Sequence, residues 1–293
     1  MNETLFVIDG LSQIYRAYYA PTPPMTSPSG EPTKATHVFL NMLAGLIRDR
    51  WPDYLAMALE GGEGGTDFRR EAYPAYKSNR SPMPDDLRPQ VEQIESIVNT
   101  LGIPVLRLPG FEADDLMATI VERMSAKEPE LDIYLVSADK DLRQLLSAKT
   151  RLFDPRKNTE LDAEALFDQH GYTPQEAVEV QILAGDSTDN IPGVRGIGMK
   201  TAAKLIREYG SADGVLAYAD ALTPKQQENV RTFASQMQLT RRLVTLRRDA
   251  PLGFRLEDCV LDLDIDAAQP LLETLGLTKL RSNLAALIAG LPR

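Results

Sequence analysis

The sequence predicts an α/β fold with a mainly parallel sheet flanked by helices, followed by a helical region. Three apolar runs, LFVI, YLAMAL and DIYLVSA, are nearly continuous, which is typical of strands covered on both faces. Helical segments near 37–49, 89–101 and 112–124 separate these runs, and this alternation indicates a parallel sheet. Beyond about residue 160 the strand patterns end and helical patterns take over, so a second, helical region is expected.

The composition is that of an ordinary globular protein. The chain has 293 residues, of which 43% are hydrophobic and 25% charged, and this excludes a disordered chain, a fibre or a disulfide scaffold. Cys259 is the single cysteine, so no internal disulfide forms, and a reducing compartment is expected. Two histidines are too few for a Cys/His zinc cluster. Without a membrane-length apolar run or a basic leader, the sequence predicts a cytoplasmic protein that contacts no membrane.

The charge distribution points to a polyanionic partner more strongly than the net charge does. The formal net charge of −10 argues mildly against nucleic acid, which usually leaves a basic footprint. However, basic residues clearly outnumber acidic ones between Arg195 and Arg248, and a second basic patch lies between Phe68 and Arg80. The molecule is therefore polarised, with its acid excess elsewhere.

An acid follows each of the three predicted strands. Asp9 ends the first run, Glu60 the second and Asp139 the third. Because ligand sites in parallel sheets lie beyond the carboxyl ends of the strands, we expect these three carboxylates to converge. The alternative interpretation of any one acid is a helix N-cap or an Asx turn, but caps do not explain the recurrence at strand ends.

Further acids occur at spacings that place them together. Glu112 and Asp115 share a helix face, and Asp139 and Asp141 flank a strand-to-helix turn in SADKD. The pooled carboxylates are Asp9, Glu60, Glu112, Asp114, Asp115, Asp139, Asp141, Asp186 and Asp189. So many carboxylates cannot share a pocket unless cations neutralise them. Oxygen ligands without histidine or cysteine favour Mg²⁺ or Mn²⁺ over Zn²⁺.

The segment GIGMKTAAKLI predicts a phosphate-binding turn. Gly196 and Gly198 permit a tight turn with exposed backbone N–H groups, and Lys200 and Thr201 open a helix whose N-terminal dipole favours a phosphate. The alternative is an ordinary corner between two helices. The basic helix after the turn favours a unit that grips a DNA backbone without reading bases.

The segment FRREAYPAYKSNR interleaves basic and aromatic residues. Tyr73 and Tyr76 suit stacking on single-stranded bases, with phosphates held by Lys77 and Arg80. The alternative interpretation is a solvated amphipathic helix.

Taken together, these motifs resemble the 5′-nuclease superfamily, which includes the flap endonucleases and the 5′→3′ exonuclease domain of bacterial DNA polymerase I. The resemblance runs through FVIDGLSQIYRAYYA, FRREAYPAYKSNRSPMPDDLRPQ, GFEADDL, SADKDLRQLL and GDSTDNIPGVRGIGMKTAAKLI. It implies a PIN-like, Rossmann-like nuclease core over 1–180 that includes a helical arch at about 66–90. It also implies a helical DNA-binding region over 181–293 with a helix-three-turn-helix at about 185–210.

The resemblance also implies a function, a structure-specific 5′ nuclease of DNA replication and repair that uses two Mg²⁺ ions. The first ion would be held by Asp9, Glu112, Asp114, Asp115 and Asp139, and the second by Asp141, Asp186 and Asp189. Lys77 and Arg80 would neutralise charge on the scissile phosphate, and a potassium ion would bind the helix-three-turn-helix. The expected DNA contacts are Arg16, Arg70, Tyr76, Gly196, Gly198, Lys200, Thr201 and Lys204. The substrate would be DNA with a 5′ flap or a 5′ end at a duplex junction, bound by a monomer.

One position departs from the family pattern. The family typically has Asp where this chain has Glu60, and the Gly-rich stretch from there to Phe68 is longer. Glu63 or Asp67 could replace Glu60 as the ligand.

Three rival functions follow from the same features. They are a ribonuclease of the related PIN type, a non-catalytic DNA-structure-binding module with a decayed metal site, and a dinucleotide-binding oxidoreductase. The last lacks a glycine-rich fingerprint after LFVIDG.

Overall fold

The computed structural model describes residues 2–61, 67–280, 282 and 285. Within these residues one six-stranded sheet has the order β3-β2-β1-β4-β5-β6, and all neighbours are parallel except β5 and β6. The strands are β1 (Thr4–Asp9), β2 (Tyr54–Ala58), β3 (Val105–Leu106), β4 (Asp132–Val136), β5 (Thr150–Asp154) and β6 (Thr159–Leu161). The predicted α/β class and the parallel sheet are confirmed.

The sheet register places the strand-end acids side by side. In the centre of the sheet, Asp9 of β1 is opposite Ala58 of β2, and Ile8 is opposite Val136 of β4. Glu60 and Asp139 follow their strands within three residues of these partners. All three acids therefore emerge at the same edge of the sheet.

Helices cover both faces of the sheet. The helices are α1 (Gly10–Tyr18), α2 (Lys34–Arg50), α3 (Asp67–Ala72), α4 (Arg88–Thr100), α5 (Ala113–Lys127), α6 (Ala163–His170), α7 (Ala177–Ala184), α8 (Met199–Tyr209), α9 (Ala212–Ala217), α10 (Pro224–Phe233), α11 (Met237–Val244) and α12 (Ile265–Thr274). Leu5 and Val7 point into a core shared with α5 and with α7 to α11. Phe6 and Ile8 point to the opposite face, into a core shared with α1, α2, α4 and α12. Burial on both faces explains the continuous apolar runs.

The end of the described chain returns to the α/β core. The Leu261 N–H donates to the Asp53 carbonyl at 3.0 Å, and the Asp264 N–H donates to the Leu101 carbonyl at 3.1 Å. As a result α12 packs against α4, on the opposite sheet face from α7 to α11. The sequence pattern did not indicate this return, because a helical pattern does not show which face of a sheet a helix covers. The stretch LRSNLAALIAG near 280–290, whose pattern predicts a further helix, lies largely outside the described residues.

No helix in the described part of the chain has the length and apolar character that a membrane span requires.

Candidate active site

The strand-end acids line one cavity of about 520 Å³ at the carboxyl edge of the sheet. Five predicted acids border it, and so do three basic side chains of the segment between β2 and α4. The acids are Asp9, Glu60, Glu112, Asp114 and Asp139, and the basic residues are Arg70, Lys77 and Arg80. The cavity therefore combines metal-ligand chemistry with cations that suit a phosphate.

Asp9 lies at the end of β1 and caps α1. Its carboxylate accepts hydrogen bonds from the Ser137 hydroxyl at 2.8 Å and from the Ser12 N–H at 3.2 Å. Burial raises the pKa of Asp9 to about 6, although these two hydrogen bonds lower it. The nearby charges of Asp139 and Glu60 add to the rise. A cation beside Asp9 would reverse this shift.

Asp114 lies in the first turn of α5 and is the second acid of the cavity whose pKa is raised. In the described part of the chain, its carboxylate makes no hydrogen bond or ion pair. Burial raises its pKa well above the usual range, and the charges of Asp139 and Asp9 raise it further. Asp139 lies after β4, where its Oδ1 accepts the Asp141 N–H at 2.9 Å. We call Asp9, Asp114 and Asp139 the first acid group.

Three other acids form a tighter cluster, which we call the second acid group. Asp141, Asp186 and Asp189 each offer a carboxylate oxygen, and these oxygens lie within 4.8 Å of one another. Among the described residues no other set of acidic, histidine or cysteine side chains meets this criterion, so the first group is more widely spaced. This close set matches the ligands predicted for the second ion.

A glycine-dependent turn positions two members of this group. The N–H of Asp186 donates to the Ile191 carbonyl at 2.9 Å, and the return bond is 2.7 Å, which closes the turn between them. Behind it, a Cβ on Gly193 would lie 2.3 Å from the backbone nitrogen of Gly185, so only glycine fits there. Gly185 also has a φ of 67°.

Each member of the second acid group has a partner that donates to it. Lys140 Nζ lies 3.0 Å from Asp186 Oδ1, and Gln181 Nε2 donates to Asp141 Oδ1 at 2.5 Å. Arg80 forms an ion pair with Asp189. Burial still raises the pKa of Asp141 to about 7, with the Asp139 charge as the second cause. The second group is thus partly neutralised by the protein itself.

Glu112, the N-cap of α5, binds side chains of the predicted arch. The Tyr76 hydroxyl donates to both of its carboxylate oxygens at 3.1 Å, and Lys77 forms an ion pair with it. Burial tends to lower the pKa of Lys77, but the carboxylates of Glu112, Asp189 and Glu60 together raise it above the usual value, so Lys77 stays an ammonium. Tyr76 is only 4% exposed, so the predicted DNA contact of its ring is wrong: it is a buried partner of Glu112.

Asp115 was predicted as a ligand of the first ion, but its carboxylate is fully engaged elsewhere. Arg69 donates to both oxygens at 2.8 Å, and the N–H groups of Glu112 and Arg247 donate at 3.2 and 2.9 Å. Asp115 is 0% exposed and Arg69 is 1% exposed. We therefore reassign Asp115 to a structural ion pair, because no ligand position is left open to solvent.

Arg69 is the residue that the sequence analysis missed. Its Nε donates to the Leu243 carbonyl at 2.9 Å, so it joins α3, α5 and the end of α11. It lies in a basic segment whose other members were assigned to phosphate, and the sequence carries no signal that separates a buried arginine from an exposed one.

Glu60 borders the cavity, and its backbone carbonyl accepts from Arg107 Nη1 at 3.0 Å. The adjacent Gly61 packs so closely that a Cβ would lie 2.2 Å from the Leu108 carbonyl oxygen. Glu63 and the Asp67 side chain lie outside the described residues, so the choice among these three acids stays a prediction.

The predicted DNA contacts divide into exposed and engaged groups. Arg70, Lys200 and Lys204 are exposed, and none of them makes an ion pair with the residues the structure describes. Thr201 is half-buried in the first turn of α8. By contrast, Arg16 is paired with Asp154 at 2.8 Å, so it is not a free cation.

The two glycines of the predicted phosphate turn differ in their backbone. Gly196 has a φ of 78°, which favours glycine. Gly198 is the N-cap of α8 with a φ of −92°, which any residue adopts, and a Cβ there would meet nothing within 4 Å. The tight turn therefore requires Gly196 only. The N-cap of α8 makes no side-chain hydrogen bond to the first N–H groups of this helix, so they remain available to a ligand.

About half of the basic residues between Arg195 and Arg248 have acidic partners. Those that make no ion pair within the described residues are exposed, and they are Arg195, Lys200, Lys204, Arg207 and Arg242. The basic surface is consequently smaller than the composition suggests, and three of its members lie on α8.

Comparisons with known proteins agree with this geometry. A model of the 5′-3′ exonuclease N-terminal resolvase-like domain matches residues 4–171, and one of the 5′-3′ exonuclease C-terminal SAM fold matches 172–266. A 5′-3′ exonuclease of Aquifex aeolicus is 35% identical over 256 residues, covering 87% of this chain and 86% of that protein. DNA polymerase I of Rhizobium leguminosarum is 36% identical over 269 residues, covering 89% of this chain. The chain spans 26% of that polymerase's length.

Solved structures show the same fold. A T5 5′-exonuclease with bound zinc superposes with a TM-score of 0.69 at 19% identity, covering 97% of this chain and 99% of that one. The catalytic core of Rad2 in complex with a DNA substrate gives 0.64 at 15% identity, covering 98% and 93%. Together with the domain models and the relatives, these findings confirm the resemblance identified from the motifs.

Proposed function

The chain belongs to the 5′-3′ exonuclease family, and we propose that it is a structure-specific 5′ nuclease of DNA replication and repair. It would act as a 5′→3′ exonuclease and a 5′-flap endonuclease. The observation that carries this proposal is the cavity that Asp9 and Asp114, whose pKa values are raised, line together with Lys77 and Arg80. Such acids are poised for divalent cations, and the two basic residues are poised for a phosphate between them.

The donor set fits two Mg²⁺ ions, with Mn²⁺ as an alternative. All candidate ligands are carboxylate oxygens, which hard cations prefer. Asp9, Asp114, Asp139 and Glu112 would hold the first ion, and Asp141, Asp186 and Asp189 the second. When bound, such a pair supplies hydroxide near neutral pH and stabilises the attacking and leaving oxygens. The solved T5 structure named above contains divalent metal ions, which supports this assignment.

Lys77 and Arg80 would neutralise the substrate phosphate. Lys77 is held by its own backbone, because its N–H donates to the Asp189 carbonyl at 2.9 Å and its φ is 54°. In this structure both cations pair with predicted metal ligands, Lys77 with Glu112 of the cavity and Arg80 with Asp189 of the second acid group. We infer that these ion pairs separate when substrate and metal bind. Lys77 and Arg80 would then contact the phosphate, and Glu112 and Asp189 would bind the metal ions.

The duplex would bind along α8. Its uncapped N-terminus and the exposed Lys200 and Lys204 offer backbone N–H groups and cations to successive phosphates. These contacts do not read bases, so we expect recognition of DNA structure rather than sequence. The turn before α8 is the proposed place for a potassium ion. The monomeric state and the cytoplasmic location stay predictions.

The test is cleavage of a 5′-labelled flap, a blunt duplex and an RNA–DNA hybrid, each with and without Mg²⁺. We expect Mg²⁺-dependent cleavage that is strongest on the flap. Asp139→Ala should abolish cleavage and retain duplex binding, because α8 does not depend on the first acid group. Full activity of that variant would overturn the metal-site argument. Duplex binding without any cleavage by the unaltered protein would favour the non-catalytic module instead.

A further inference from the structure

We propose that Lys140 acts as a built-in cation at the second acid group and lowers the affinity of that group for a divalent ion. The two ion sites would then fill at different ion concentrations. This inference rests on the proposed function, since it concerns the ions of that same site.

Lys140 is placed to do this by its position in the chain. It lies between Asp139 and Asp141, one residue from each acid group, and is the N-cap of the 3-10 helix Asp141–Leu145. Its Nζ lies 3.0 Å from Asp186 Oδ1, an oxygen that also accepts the Thr188 N–H at 2.8 Å. Asp186 is only 5% exposed, so the ion pair is poorly screened by solvent on its acidic side.

The first acid group has no such partner. Within the described residues, neither Asp9, Asp114 nor Asp139 makes an ion pair with a lysine or arginine, whereas Asp186 has Lys140. Like charges therefore remain without a paired cation in the first group, whose three members border one cavity. An ion that binds Asp9, Asp114 and Asp139 relieves repulsion, and among the described residues the only lysine it displaces is Lys77 on the neighbouring Glu112. An ion entering the second group must displace Lys140 from Asp186 and Arg80 from Asp189.

Lys140 differs from the other cations near the second group. Lys77 and Arg80 border the cavity where the phosphate would bind, whereas Lys140 is not among the residues that border it. Its side chain is 31% exposed and its stem is flexible, so it can swing into solvent when an ion takes Asp186. Lys140 thus remains a competitor for the ion in the DNA-free protein, and its release costs little conformational strain.

The test is to measure Mn²⁺ binding to the DNA-free full chain. Binding is measured by titration calorimetry and by the electron paramagnetic resonance signal of free Mn²⁺. We expect two classes of site in the unaltered protein. Lys140→Met removes the charge and keeps the stem length, and it should tighten the weaker class at least about tenfold while the tighter class changes little. Lys140→Arg should keep the weaker class weak, because the charge is retained.

The matched control is Lys149→Met, since Lys149 pairs with the exposed Glu130 outside both acid groups. It should reproduce the unaltered isotherm. Asp186→Asn should remove the weaker class of site both in the otherwise unaltered protein and in the Lys140→Met variant. This result would assign the weaker class to the second group. Unchanged Mn²⁺ affinities in a folded Lys140→Met variant would overturn the inference and leave the nuclease proposal standing. If the unaltered protein showed no Mg²⁺-dependent cleavage, the nuclease proposal itself would be overturned.

Discussion

The two acid groups contain the same type of residue, but they differ in whether lysine or arginine side chains pair with them. The first group comes from strand ends and the start of α5, and it has no cationic partner among the residues the structure describes. Two members of the second group lie in the turn that Asp186 and Ile191 close. There, Lys140 pairs with Asp186 and Arg80 pairs with Asp189. The position of an acid in the fold thus determines how much of its negative charge the protein's own lysine and arginine side chains neutralise.

This difference teaches that neighbouring acids of one proposed site can differ in how their charge affects stability. Unpartnered buried acids oppose folding when they ionise, and the packed sheet beneath them must offset that cost. Partnered acids contribute favourable contacts even without an ion. Asp115 is the extreme case, since Arg69 and the N–H groups of Glu112 and Arg247 all donate to its carboxylate.

The largest expected effect separates the two groups by the sign of a stability change. Asp114→Asn and Asp186→Asn should both reduce Mg²⁺-dependent flap cleavage to background, because each removes a proposed metal ligand. In the metal-free protein, however, Asp114→Asn should raise Tm, since it relieves repulsion. Asp186→Asn should lower Tm, since it weakens contacts to Lys140 and Thr188. Each kcal/mol corresponds to a Tm change of about 2–4 °C.

Differential scanning calorimetry in EDTA measures this, with Lys149→Met as a surface control. The comparison between the groups would fail if both aspartate variants shifted Tm in the same direction.

The next effect concerns the acid that belongs to neither group. Arg69→Met should destabilise the protein by about 3–5 kcal/mol, because it leaves the Asp115 carboxylate buried and unpaired. The double variant Arg69→Met/Asp115→Leu replaces the pair with apolar side chains and should recover most of that loss. Urea unfolding measures both free energies.

Arg69 also lies 3.3 Å from Glu112, so the double variant has a second use. It should remain folded but bind Mn²⁺ more weakly at the first group. If the double variant kept both its stability and its Mn²⁺ affinity at the first group, the Arg69–Asp115 pair would not be needed to position Glu112.

The smallest effect is the pH dependence of the metal-free protein. Asp141 has a pKa of about 7 in the folded state, against an ordinary value of 3.8. The folded state therefore binds its proton more tightly, and the stability that this proton contributes is present below pH 3.8 and lost as pH rises to about 7. Asp141→Asn removes this term. The Tm difference, unaltered protein minus variant, should fall across this window by about 2–4 °C for each kcal/mol of stability that is lost.

Mg²⁺ should counter that loss above pH 7, because the ion binds the ionised carboxylate. A Tm difference that stays flat from pH 4 to pH 7 would contradict the proposed burial of Asp141 among like charges.

Much of the site was predictable because acids recur where strands end. Asp9 and Asp139 could be placed together from three apolar runs alone, since parallel strands end at one edge. The partners of these acids were not predictable. Tyr76 and Asp115 fit their predicted roles by sequence position, yet one is buried against Glu112 and the other is paired with Arg69.

The sequence by itself determined the α/β class, the acid-lined edge and the basic turn before α8. These follow from local periodicity and from residue type, which a linear pattern records. Only the tertiary structure decided which charges neutralise each other, as in the Lys140–Asp186 and Arg69–Asp115 pairs. Both pairs join residues more than forty positions apart, and their strength depends on burial, which is a property of the packed molecule and not of the chain.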